Sequence, residues 1–92
     1  MDDELRAAVR RVYRLPGKRL LLLEDTYEGG VEAGDEIEVA LPDGRLARAN
    51  VDGVAWGSAF GMGRNPPLTL VVLWEDDPDP ERGAAVRAVP KR

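Results

Sequence analysis

From Glu36 to Leu41 the chain alternates strictly, with Glu36, Glu38 and Ala40 on one side and Ile37, Val39 and Leu41 on the other. A period of two is the signature of a strand with one face in a core and one in water. The residues ahead of it, Gly29-Gly30-Val31-Glu32-Ala33-Gly34-Asp35, supply glycines for tight turns or positive φ. Asp35 can accept hydrogen bonds from the turn's backbone amides and set the start of the strand. A chain built around such a stretch is committed to sheet structure there.

The flanking segments extend that reading. Lys18 to Glu24 contains four consecutive leucines, too few residues for a helix between turns, and reads as a strand buried on both faces. Leu41-Pro42-Asp43-Gly44-Arg45 is a hairpin connection, with Pro presetting φ, Asp bonding nearby backbone and Gly taking the left-handed position. In the returning strand, Arg45 to Trp56, small apolar residues fall at Ala47, Ala49 and Val51, then change parity to Val54 and Trp56 across Asp52-Gly53. A change of parity at glycine predicts a β-bulge. Leu68 to Trp74 is a second dense apolar strand, and Gly83 to Val89 a short last one. Residues 2–14 are ambiguous: Leu5, Ala8, Val9, Val12 and Tyr13 share a helical face, yet Val12-Tyr13-Arg14-Leu15 before Pro16-Gly17 reads as a strand ending in a turn. Local pattern alone leans towards helix.

Ninety-two residues make one domain, 1–92, with ends at 1–7 and 90–92 expected to fray. Five or six short strands at this spacing predict an all-β fold, a small closed or nearly closed six-stranded barrel with Leu22, Ile37, Val39, Val54, Leu70 and Val72 inside. No basic-then-apolar leader is visible, and the longest apolar run, Leu20 to Leu23, is far short of a membrane span. The expectation is a soluble cytoplasmic protein that does not engage membranes.

The chain has no cysteine and no histidine, which removes thiolate, disulfide and imidazole chemistry. The remaining nucleophile candidates, Ser58, Thr26, Thr69 and the two tyrosines, therefore lack a histidine base. Asp76, Asp77, Asp79 and Glu81 could gather a hard cation, but proline interrupts the run and the glycine of a calcium loop is missing. Gly57, Gly61 and Gly63 lack the Gly-Lys-Ser/Thr ending of a phosphate loop. No catalytic residue, metal site or cofactor is expected.

Charge is segregated. The net charge is −4, yet Arg6, Arg10, Arg11, Arg14, Lys18 and Arg19 all fall in the first nineteen positions, and Leu20 to Gly44 carries eight acids and no base. A general nucleic-acid binder would carry a positive balance, so a protein partner is favoured. The connection from Trp56 to Pro67 is longer than a hairpin needs, and Trp56, Phe60, Met62 and Arg64 in it are the candidate partner-binding residues. If RNA were the partner instead, the dense basic stretch Arg10, Arg11, Arg14, Lys18 and Arg19 would be its surface.

Pro16-Gly17, Glu28-Gly29 and Val31-Glu32-Ala33-Gly34-Asp35-Glu36-Ile37-Glu38-Val39, followed by Val51-Asp52-Gly53-Val54, Leu68 to Leu73 and Glu81-Arg82-Gly83, together resemble the second, β-barrel domain of translational GTPases such as elongation factor Tu. The similarity spans Val12 to Pro90. It implies a barrel, moves Val12–Leu15 from helix to strand, and implies an accessory role in translation or in RNA- or tRNA-containing complexes as the alternative function. The chain departs from the family at functional points. It has no P-loop, it carries Arg19 and Glu24 where the family flanks its second strand with glycine, and it places Ala55-Trp56-Gly57-Ser58 where the elongation factor's aminoacyl pocket residues would stand. Neither nucleotide hydrolysis nor aminoacyl binding is implied, because fold transfers more safely than function.

Overall fold

The computed structural model describes residues 4–56, 68–74 and 78–90. Its strands are β1 (Arg6–Leu15), β2 (Lys18–Leu23), β3 (Glu36–Ala40), β4 (Leu46–Trp56), β5 (Leu68–Leu73) and β6 (Ala85–Ala88). They close into a six-stranded barrel in the order β1-β2-β5-β4-β3-β6, with β6 pairing back onto β1 and every neighbouring pair antiparallel. The described residues contain no helix.

The glycine turn ahead of β3 is built as its residues suggest. Gly34 has φ 97° and its amide donates to the Val51 carbonyl at 2.8 Å, while the Val51 amide donates to Asp35. The Asp35 carboxylate accepts the Glu32 amide at 2.9 Å. The turn is thereby tied to the middle of β4, and Ile37 and Val39 point into the core with no exposed surface. At the far end of β3 the hairpin closes by a bond from the Leu41 amide to the Arg45 carbonyl, with Gly44 at φ 90°. The parity change in β4 is a register shift between Val51 and Gly53.

The N-terminal segment, whose local pattern leans towards helix and which stayed open between helix and strand before Val12, is strand from Arg6 onward, with Val12–Leu15 strand as the resemblance implies. A register shift between Val9 and Arg11 explains the misleading pattern: Leu5, Ala7 and Val9 point inward at period two, and after the bulge Val12 does. The most apolar of these, Leu5, Val9 and Val12, fall at steps of four and three, which mimics a helix. The N-terminal end expected to fray is described from Glu4, with Leu5 fully buried and its carbonyl accepting the Ala88 amide at 3.0 Å.

One expectation is corrected: β2 is buried on one face rather than two. Leu21 and Leu23 enter the core, while Leu20 and Leu22 are half-buried and point away from it. Leu22 is therefore not an interior residue. Ile37, Val39, Leu70 and Val72 are interior, and Val54 is half-buried against the core.

Candidate functional site

The basic stretch at the N-terminus does not form one surface. Arg19 shares the inward parity of Leu21 and Leu23, and only 7% of it is exposed. Its guanidinium donates to Asp79 at 2.7 Å and to the carbonyls of Leu15 and Lys18 at 3.1 and 2.7 Å. Arg14 reaches the other oxygen of Asp79 at 3.1 Å. The Trp74 amide donates to the Gly17 carbonyl at 3.0 Å, so the β1–β2 turn and the chain after β5 are pinned together at this end of the barrel. Arginine suits that role because its planar fork can serve a carboxylate and two carbonyls at once. Lys18 is paired with Asp52 at 2.9 Å. Of the five cations assigned to an RNA surface, Arg14, Lys18 and Arg19 thus make internal ion pairs, and Arg10 and Arg11 remain on the exposed side of β1.

The acidic alternation on β3 is answered in the same way. Glu38 lies on the outside of the barrel, yet two guanidiniums cover it: Arg87 from β6 at 2.8 Å and Arg48 from β4 at 3.3 Å. The hydrogen bond from Arg87, reinforced by both positive charges, holds the Glu38 carboxyl below its ordinary range despite partial desolvation. Arg48 also approaches Glu36, at 3.6 Å. A depression of about 330 Å³ lies beside this row, bounded by Arg6, Glu38, Leu46, Ala85 and Arg87. Glu38, its one carboxylate among the described residues, is already committed to arginine. Among the described residues no group of three or more acidic side chains is placed to hold a metal ion.

The most distinctive surface is apolar. Strand register aligns the outward residues of β1, β2, β5 and β4 in rows. Tyr13 pairs with Leu20, Leu20 with Val71, and Val71 with Gly53. On one side runs Arg11–Leu22–Thr69–Ala55, and on the other Leu15–Lys18–Leu73. Tyr13, Leu15 and Leu73 are 45, 42 and 44% exposed. Leu20, Leu22 and Val71 are half-buried and do not pack on the core. The result is a continuous apolar strip on the outside of a small barrel, a location normally given to polar side chains.

Sequence reasoning missed this face because it assigned the leucine run to the interior on both sides. The signal was present as the combination of Tyr13, Leu15, Leu20, Leu22, Val71 and Leu73, but only pairing register shows that they meet. Of the loop residues proposed for partner binding, Trp56 ends β4, while Phe60, Met62 and Arg64 lie outside the described residues, as do Ser58, Asp76 and Asp77.

No family model matches the chain, and neither a curated protein nor a solved structure matches it.

Proposed function

We propose that the protein is a non-catalytic β-barrel module that binds another protein in the cytoplasm. The observation that carries this reading is the outward apolar strip of Tyr13, Leu20 and Val71 with Leu15, Leu22 and Leu73. Contiguous apolar surface exposed on a soluble fold costs solubility and is the usual mark of an interface. The absence of cysteine and histidine from the sequence, and the commitment of Asp79 and Glu38 to arginines, speak against an acid–base or nucleophilic site.

A translation-linked accessory role is the second reading, and its specific support is the order of turn and strand motifs shared with the translational GTPase barrel. Ion pairing of Arg14, Lys18 and Arg19 weakens the case for RNA as the direct ligand. A photo-crosslinking amino acid placed at Leu73 and, as a control, at Leu46 tests the two together in the protein's own cytosol. Protein adducts from Leu73 and not from Leu46 are the expected result. RNA adducts, or salt-sensitive tRNA binding near micromolar affinity, would instead promote the translation reading.

A further inference from the structure

We infer that the apolar strip receives a single amphipathic helix of a partner protein, with carboxylates on the side of the helix nearest Arg10 and Arg11. This deepens the protein-binding reading and rests on it. A peptide strand would add beside the strip and not on it: among the described residues Arg11 to Leu15 of β1 pair with β2 alone, β6 reaching only Arg6 to Ala8. Docking on the strip itself is made by side chains of the face.

Size decides between a helix and a second copy of this chain. Four strands about 4.8 Å apart and three rows about 6.7 Å apart cover roughly 300–400 Å² with their side chains. A stable dimer of folded proteins needs about 800 Å² from each partner. A helix about 10 Å across, lying on roughly 20 Å of this face, fills it with about three to four turns. Anchors at i, i+3, i+4 and i+7 match such a strip.

Charge orients the polar side. Arg10 and Arg11 border the strip on β1 and are exposed, whereas Lys18 and Asp52 neutralise each other in the row at the opposite end. Carboxylates on the helix flank would meet the two arginines, and lysines there would be repelled.

The test uses the full chain, labelled with ¹⁵N, and two synthetic fourteen-residue helical peptides with identical leucine spacing. One carries glutamate and the other lysine at the polar positions. The expected result is that the glutamate peptide shifts the amides of Tyr13, Leu20, Val71 and Leu73, binding about tenfold more tightly than the lysine peptide at low salt and losing that margin at high salt. Leu73→Asp, at an exposed position that leaves folding intact, should abolish the shifts, and Arg10→Glu with Arg11→Glu should reverse the peptide preference.

Shifts at other residues, or equal affinity for both peptides, overturn the inference. So does concentration-dependent dimerisation that moves the same amides without peptide, which would assign the face to a second copy. Shifts produced by phosphatidylserine vesicles in place of the peptides would assign it to a lipid surface. If Leu73 still crosslinks to protein while neither peptide binds, the helix is wrong and the protein-binding reading stands; if both fail, that reading falls as well.

Discussion

Arg19→Met is the sharpest test of how the basic stretch is used. The substitution keeps an apolar stem of similar length and removes the guanidinium. Lost with it are a charge-assisted hydrogen bond to Asp79 at 2.7 Å and donors to two carbonyls. A hydrogen bond to a charged group contributes about 1.5–3 kcal/mol. Asp79 would not be orphaned, because Arg14 remains on its other oxygen at 3.1 Å, so the larger penalty of an unpaired buried charge is avoided. The expected cost is about 2–3 kcal/mol, from a total stability of roughly 5–14 kcal/mol for a domain of this length. That lowers Tm by about 10–20 °C. Urea unfolding of the wild type, Arg19→Met, Asp79→Asn and the double variant measures it, with a coupling of about 1–2 kcal/mol expected between the two sites. Arg11→Met is the control and should change stability by less than about 0.5 kcal/mol. A cost for Arg19→Met no greater than the control's, with no coupling to Asp79, would refute the role of this arginine as a structural tie and return it to the candidate ligand surface.

Other positions separate the fold's determinants. Leu21→Ala should cost about 2–5 kcal/mol by opening a core cavity, and Leu22→Ser less than about 1 kcal/mol, as read by chemical denaturation; equal costs would mean β2 is buried on both faces. Gly34→Val should destabilise by about 1–3 kcal/mol, since φ is 97° although a Cβ there meets no atom within 4 Å, whereas Gly30→Val, without positive φ and in open space, should be nearly neutral. For Glu38 the folded pKa lies below the unfolded value of about 4.3, so its stabilisation is present above that pH and lost as pH falls through the folded value. Glu38→Gln should accordingly be less stable than wild type at neutral pH and converge with it in acid, and parallel stability curves down to low pH would contradict the Arg87 pairing. Asp43, held low first by the Arg45 amide and then by its side chain, acts in the same direction and remains in both proteins.

Periodicity and turn chemistry are local properties, and where they decided the structure the sequence sufficed. The alternation of Glu36 to Leu41 placed Ile37 and Val39 inside because period two admits no other solution for a strand against one core. Gly34 and Gly44 marked positive φ because no other residue takes it without strain, and the parity change at Asp52-Gly53 marked the bulge. Tertiary structure decided the rest. The bulge between Val9 and Arg11 breaks period two in the very segment where it was needed, and bonding to β2 and β6 on both sides overrides the helical pattern that results. Four leucines in a row carry no information about which face is core, because the run has no polar residue to mark the outside. Arg19 and Asp79 are sixty positions apart and Glu38 and Arg87 forty-nine, so their pairing follows from strand order and not from any spacing along the chain. The apolar strip is of the same kind: Tyr13, Leu20 and Val71 lie on three strands, and only the register of a closed barrel makes them neighbours.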